Sequence, residues 1–301
     1  MTKNASKSGR ILKYVVLFIV VVNLAIVAVV FLGANAPQPR PMPNPNGYDD
    51  FVKAGQMLVG KPGDFYTMNK EELVGLVATN QEALKLVRIG LDHECRVPDD
   101  YSPGYMTRLM TTYSSLKQLA FLIAAEGKLR ELNGHTNEAT KIYLEGICFG
   151  QNSSRGGVII SRLVSIACES ISLGRLELLA NGLDAQACRE TAQALEAIDA
   201  GEEPVEETIR QDTLWDRKFI GLWGQFYALV QYKSIRDTKN RFTQKVRAYT
   251  LRRRQFILTL AARAYELEKG KRAQSAADLV PGCLKAIPQD PATGTNLVLG
   301  P

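Results

Sequence analysis

The side chains best suited to metal chemistry lie together in the segment Asp92-His93-Glu94-Cys95. A carboxylate, an imidazole and a thiol are all metal ligands, but a structural zinc site needs four ligands with recognisable pair spacing. The chain has no Cys-x-x-Cys, and its only other histidine is His135. We therefore predict a loop at a helix end, and we expect no metal site.

Motifs for hydrolysis and phosphate binding are absent from the sequence. It contains no Gly-x-Ser-x-Gly, no His-Glu-x-x-His and no glycine loop followed by Lys-Ser/Thr. The polar stretch at 151–157, QNSSRGG, is predicted to connect two helices. Glu202 and Glu203 are a pair capable of acid–base chemistry, but they belong to an acidic run that we predict to be exposed. We predict no catalytic residue and no cofactor; an exported enzyme with an unrecognised site stays an alternative.

The basic residues are unevenly distributed along the chain. The net charge is +6, and four of the positive charges precede residue 14, so the remainder carries only +2. This balance gives no support for nucleic-acid binding. Residues 217–272 nevertheless contain fifteen Lys and Arg. The candidates there for contact with an anionic lipid or polymer are Lys245, Arg247, Arg252 and Arg254. The alternative is a solvated, partly salt-bridged helix face.

A long apolar run near the start predicts a membrane anchor over 14–33. Tyr14 to Leu32 are 19 residues, and Asn23 is the only clearly polar one. A helix of that length spans about 30 Å, the thickness of a bilayer's hydrocarbon core. Ala34-Asn35-Ala36 has the form of a signal-peptide cleavage site, but Pro37 directly after it disfavours cleavage.

The charge around this run predicts its orientation. Its basic flank (1–13) precedes the first acidic residue, Asp49, so the positive-inside rule places the flank in the cytoplasm and the rest of the chain outside the inner membrane. Residues 34–47 form a linker with proline at every second position from Pro37 to Pro45. Such a pattern favours polyproline II, a stiff spacer.

Beyond the linker, helical periodicity dominates and predicts an all-α fold. A helical-pair domain is expected over 48–200, with helices near 105–132, 136–150, 157–180 and 184–199, and a long helical region over 201–301. Asn69 and Glu72 have the spacing of a capping box. A buried stripe is predicted along the last long helix at Ile235, Phe242, Val246, Tyr249, Phe256, Leu260 and Leu267. Arg253 falls on this stripe, either buried against an acid, perhaps from 202–216, or where the stripe reaches solvent.

The segment 219–232, FIGLWGQFYALVQY, is too short to span a membrane. We predict a core helix there, with an interfacial helix as the alternative.

The five cysteines are an odd number, so they cannot all pair within the chain. We expect most of them to be small buried core residues.

One helix pair carries a more specific pattern. Gly127, Gly134, Ala139 and Tyr143 have the spacing of the small, turn, small and aromatic positions of a tetratricopeptide repeat, which 122–151 resembles. Arg130 and Gln151 depart from that pattern, and an ordinary helical hairpin is the alternative. We single out the four residues as candidates for helix-pair packing or interaction.

The end of the chain has a second resemblance. A helix, a basic Gly turn, a short capped helix and the run Pro-Gln-Asp-Pro-Ala-Thr-Gly (288–294) are similar to tails of uncharacterised membrane-anchored bacterial proteins and of type II secretion pseudopilins. In that context the tail is a docking element on the preceding helix.

The whole layout resembles an uncharacterised family of bacterial single-pass membrane proteins, which implies no activity. We therefore expect a non-enzymatic scaffold that binds another envelope protein through the groove of helical pairs in 105–200. A structural protein that binds anionic lipid or polymer is the other non-enzymatic alternative.

Overall fold

The computed structural model describes residues 13–25, 28, 41–100, 102 and 104–300, without the side chains of 217, 219–230 and 232. The all-α prediction is confirmed: the described residues contain no strand, and the one β-bridge joins Gln289 to Asn296. After an N-terminal helix that includes residues 13–25, the α-helices in chain order are α1 (Gly47–Gln56), α2 (Lys70–Thr79), α3 (Gln81–Leu91), α4 (Tyr105–Leu132), α5 (Thr136–Asn152), α6 (Ile159–Leu179), α7 (Ala185–Ala200), α8 (Val205–Val230) and α9 (Tyr232–Lys269). Short 3₁₀ helices occur at Pro62–Tyr66, Ala180–Gly182 and Ala276–Leu279.

The N-terminal helix occupies 13–25 and residue 28 of the described chain. Asn23 satisfies its own amide there by donating to the Ile19 carbonyl at 2.7 Å. No described helix is both long enough and apolar enough to cross a membrane. The predicted anchor is described only in part, since residues 26, 27 and 29–33 lie outside the described residues, as do 1–12 and 34–40. α1 begins at Gly47, inside the range predicted as linker, because Asn46 caps it by accepting from the Tyr48 N–H.

The predicted capping box at Asn69 and Glu72 is confirmed, since each side chain accepts the other residue's backbone N–H, at 2.8 and 2.9 Å. The helix that follows this cap, α2, ends at Thr79. It breaks at Asn80, whose amide group accepts from the Val59 N–H at 2.9 Å and donates to the Val59 carbonyl at 3.0 Å. This side chain therefore ties the end of α2 to the loop after α1.

The central helices α4 to α7 reproduce the four predicted ranges to within two residues at each end. α4, α5 and α6 all pack against one another. α9 then lies along α7 and also against α6. The face of the helical pairs that we predicted to receive a partner is therefore covered in part by the chain's own last long helix.

The apolar stripe of α9 is confirmed over its middle. Phe242, Val246, Tyr249, Phe256 and Leu260 are all at least 93% buried. The stripe is wrong at its end, where Leu267 is 49% exposed, because the buried face of α9 there carries Ala261 and Ala264 instead. At the start of the stripe, Ile235 is only partly buried. The side chains of 219–230 and 232, predicted to pack in the core, are outside the description.

After α9 the chain folds back onto the core. Ser275 N–H donates to the Asp278 carboxylate at 2.9 Å, as the predicted cap requires. Leu279, Cys283 and Leu284 are buried, and the Lys285 N–H bonds the Glu196 carboxylate of α7 at 3.2 Å. All five cysteines are free thiols, and four of them are buried, as expected of core residues.

Candidate functional site

The three most buried charged residues that the structure describes, Arg162, Glu169 and Arg253, belong to one group of charges, which we call the ionic cluster. Its three cations and three anions come from four parts of the chain. α6 supplies Arg162 and Glu169, α7 supplies Asp199, the loop before α8 supplies Glu202, and α9 supplies Arg253 and Arg254.

Arg253 is the centre of the ionic cluster and has no exposed surface. Its Nε and Nη2 donate to Asp199 Oδ1 at 3.0 and 2.6 Å, and Nη1 donates to Glu169 Oε2 at 3.3 Å. Nη2 also donates to Glu202. The guanidinium carbon lies 5.6 Å from the centroid of the Tyr249 ring, a distance at which a cation is attracted by the ring face.

Arg162 completes the cluster from the other side. It donates to Glu169 and Glu202, and its Nη1 donates to Ser165 Oγ at 2.6 Å. Ser165 Oγ in turn donates to Glu169 Oε1 at 2.9 Å. Glu169, which is fully buried, therefore accepts hydrogen bonds from two arginines and a serine. This number of partners is what a carboxylate needs if it is to stay charged away from water.

Arg254 is the third cation of the ionic cluster, and its Nε donates to Asp199 Oδ2 at 2.8 Å. The three positive charges therefore balance the three negative ones. Burial alone raises the pKa of a carboxyl such as Glu202, but the adjacent Arg253 and Arg162 outweigh it and lower that pKa. Burial acts to lower the pKa of Arg253, yet the three carboxylates raise it above its ordinary value. Glu202, Arg162 and Arg253 are thus held in their charged forms, and the ion pairs join α6, α7 and α9.

Several carboxylates of the acidic run that we predicted to be exposed bind groups of the fold itself. Glu202 belongs to the ionic cluster, so the expectation is wrong at this residue. The Glu203 carboxylate accepts from the Gly156 N–H at 3.0 Å. Asp212 accepts from the Ile159 N–H at 3.1 Å, at the N-terminus of α6. Of the stretch 151–157, which we predicted to connect two helices, Gln151 and Asn152 belong to α5, and the residues after them connect α5 to α6.

The Asp92-His93-Glu94-Cys95 segment is a loop after α3, as predicted. His93 Nδ1 lies 3.5 Å from Asp50 Oδ2, and the buried Cys95 thiol donates to the Gly90 carbonyl at 3.4 Å. Burial raises the pKa of Cys95 to about 12, so the thiolate is disfavoured. No group of three or more metal-binding side chains occurs among the residues that the structure describes.

The four packing candidates lie at the α4–α5 junction. A Cβ on Gly127 would come within 2.4 Å of the Tyr143 ring, so only glycine allows the two helices this approach. Gly134 has φ +78°, a value that favours glycine in the turn, and Ala139 is fully buried. The Tyr143 hydroxyl donates to Glu131, to which Arg175 of α6 also donates, at 2.6 Å. These residues are therefore engaged within the fold, and a role in binding a partner stays a prediction.

The four cationic candidates separate into two kinds. Lys245 and Arg247 are exposed and have no acidic partner among the described residues. Arg252 donates twice to the Glu177 carboxylate, with Nε at 2.9 Å. Arg254 is bound to Asp199 and to the Gln289 carbonyl at 2.7 Å. Two of the four charges are thus neutralised by the chain itself, and contact of the others with an anion stays a prediction.

Comparison with known proteins adds no relative. No family model, curated protein or solved structure matches the chain. Its function must therefore be argued from its own residues.

Sequence reasoning identified only part of the ionic cluster. It placed Arg253 on the apolar stripe and gave two alternatives for its side chain: burial against an acid, perhaps from 202–216, or contact with solvent. The ion pair with Glu202 confirms the first alternative. It missed Arg162, Glu169 and Asp199. The available signal was that Arg162 and Glu169 are seven residues apart and therefore lie on one face of the helix, the face that also carries Leu173 and Leu176.

Proposed function

We propose that the chain is a non-enzymatic, single-pass protein of the inner membrane. Its N-terminus is cytoplasmic, and its helical domain lies outside, where it binds another protein of the cell envelope. The observation that carries the proposal is the N-terminal helix. From Tyr14 to Leu24 its large apolar side chains are 39–71% exposed and point to all sides. A helix that is apolar all round requires cover by lipid or protein.

The ionic cluster supports the non-enzymatic part of this proposal. Its carboxylates are saturated by arginines that belong to the fold, so they hold α6, α7 and α9 in one arrangement. A rigid helical body on a membrane anchor suits presentation of a fixed surface to a partner. The basic flank of four charges before residue 14 supports the orientation.

Alkaline-carbonate extraction of cells that make the full chain with a C-terminal tag tests the anchor. We expect full-length protein in the membrane pellet. Replacing Val20 and Val21 by Arg should release it, since each arginine at the centre of a span costs roughly 3 kcal/mol. The matched control is the Thr107→Arg, Thr111→Arg pair on the exposed face of α4, which adds the same charge and should stay in the pellet.

Two outcomes contradict the anchor. Wild-type protein in the carbonate supernatant shows that no segment of the chain holds it in the bilayer. A released product that lacks residues 1–36 shows that the apolar segment is a cleaved signal. Protease added to intact spheroplasts then tests orientation, because only an external domain is degraded.

A further inference from the structure

A groove lies between the second half of α9 and the last described residues of the chain, away from the ionic cluster. Its volume is about 520 Å³, within the range of about 300–1,000 Å³ usual for ligand sites. Leu258, Ala262 and Ala273 supply apolar lining, and Val298 and Gly300 border it from the tail. Val298 is 82% exposed, the largest exposure of any large apolar side chain among the described residues.

The tail offers an extended backbone at this groove. The Asp290 N–H donates to the Thr295 carbonyl and the Leu297 N–H to the Pro288 carbonyl, both at 2.8 Å. In extended chains the backbone groups of successive residues point to opposite sides. Val298 therefore turns its N–H and C=O away from the 288–290 segment, and no backbone partner for them is found in the described chain.

This open edge is held firmly in place. Leu297 and Leu299 pack against the core on either side of Val298. The Gly294 N–H closes the preceding turn by donating to the Asp290 carbonyl at 2.8 Å. A fixed edge loses little conformational freedom when a second strand pairs with it, which favours strand addition.

The charge of the groove indicates what kind of strand it would take. Arg263 and Arg272 line it, and the one acidic residue in the lining is Glu266. Arg272 is 83% exposed, and its Nε is 3.4 Å from Glu266 Oε1, a loose pairing. Lys269, the last residue of α9, and Lys271, in the adjoining turn, are both exposed. The groove is thus positive overall at the end where α9 gives way to the tail.

We propose that the groove binds an extended, acidic peptide segment of the partner protein. The segment adds as a β-strand to the backbone of residues 296–300, places an apolar side chain over Leu258 and Ala262, and pairs a carboxylate with Arg272. This inference rests on the proposed function, because it names where the envelope partner docks and by which chemistry.

The test is a titration of the full-length protein in detergent micelles with labelled hexapeptides, followed by fluorescence anisotropy. The probe is Thr-Val-Thr-Val-Glu-Glu. One comparison peptide carries N-methyl groups on the backbone of both valines, and another has Lys in place of Glu. We expect the probe to saturate below about 1 mM and to bind at least ~10 times more tightly than either comparison peptide.

Variants of the protein isolate the two contacts. Val298→Pro removes the edge N–H and should weaken binding ~10-fold. Arg272→Glu should weaken binding by a similar factor; Lys285→Glu, on the exposed tail outside the groove, should not. Thermal melting of each variant shows that its fold is retained.

Three results overturn the proposal: no binding of the probe at about 1 mM, equal binding of the N-methylated peptide, or equal binding of the lysine peptide. Failure here with full-length protein in the carbonate pellet rejects the groove and leaves the membrane anchor standing. Peptide binding by a protein that is found in the carbonate supernatant supports the groove and rejects the membrane anchor.

Discussion

Arg252 and Arg253 are neighbours in sequence, yet they lie in opposite environments. Arg253 is fully buried among three carboxylates, while Arg252 makes a half-exposed pair with Glu177. We expect Arg253→Ala to lower the free energy of unfolding by about 3–5 kcal/mol, because it leaves buried carboxylates without their partner. Arg252→Ala should cost less than about 1 kcal/mol. Urea denaturation measures both, and equal losses would show that the ionic cluster is worth no more than a surface pair.

Glu202 and Asp212 come from one acidic run, but their pKa values shift in opposite directions. Arginines lower the pKa of Glu202 against the effect of burial, whereas burial raises the pKa of Asp212. Glu202 therefore stabilises the fold above its unfolded pKa of about 4.3, and this contribution is lost as the pH falls through the lower folded value. Charged Asp212 is destabilising, and that cost disappears as the pH falls through its raised folded pKa toward the unfolded value of about 3.9.

Neutral variants test whether the charge of Glu202 stabilises the fold and the charge of Asp212 destabilises it. Glu202→Gln should be less stable than wild type by roughly 3 kcal/mol at pH 7, and the difference should shrink below about pH 4. Asp212→Asn keeps an oxygen acceptor for the Ile159 N–H, so it should be at least as stable as wild type at pH 7, with no advantage in acid. Urea midpoints at pH 7, 5 and 3 measure both. A less stable Asp212→Asn at pH 7 would mean that the charge at the N-terminus of α6 outweighs its burial.

At the scale of the helices, close approach between α4 and α5 depends on Gly127. Gly127→Ala should lower the free energy of unfolding by about 1–3 kcal/mol, since the new methyl overlaps the Tyr143 ring. The matched control is Gly75→Ala on the exposed side of α2, where an added Cβ has no neighbour within 4 Å. This control should gain about 0.5–1 kcal/mol from helix propensity. Thermal melts of both variants decide, and a stabilising Gly127→Ala would show that α4 and α5 can separate freely.

The helices could be predicted from sequence where their signals are local. The α4–α7 ranges follow from apolar periodicity with turn residues between them, and the cap at Asn69 needs only a partner three residues away. The break at Asn80 could not be predicted in the same way. Its cause is a pair of hydrogen bonds to Val59, 21 residues earlier, and no local pattern shows that contact.

At the scale of the whole molecule, the difference between local and long-range contacts also decides which members of the ionic cluster could be predicted from sequence. The position of Arg253 on an apolar stripe indicates its burial, but periodicity cannot tell which helix faces that stripe. Asp199 and Glu169 lie 54 and 84 residues before Arg253 and meet it only through the packing of α9 on α7 and α6. That packing also covers part of the surface that we expected to be free for a partner. The groove beside the tail depends equally on non-local contacts.

The long sequence separation within the ionic cluster has a consequence for biosynthesis. A ribosome adds about 5–20 residues per second, so the 84 residues between Glu169 and Arg253 take roughly 4–17 s to make. During that interval Glu169 has been synthesised but its partner on α9 does not yet exist. Arg162 lies on the same helix and is made earlier, so the nascent chain carries a counter-ion for Glu169 while it waits. Native closure of this core therefore comes only after α9 has been synthesised.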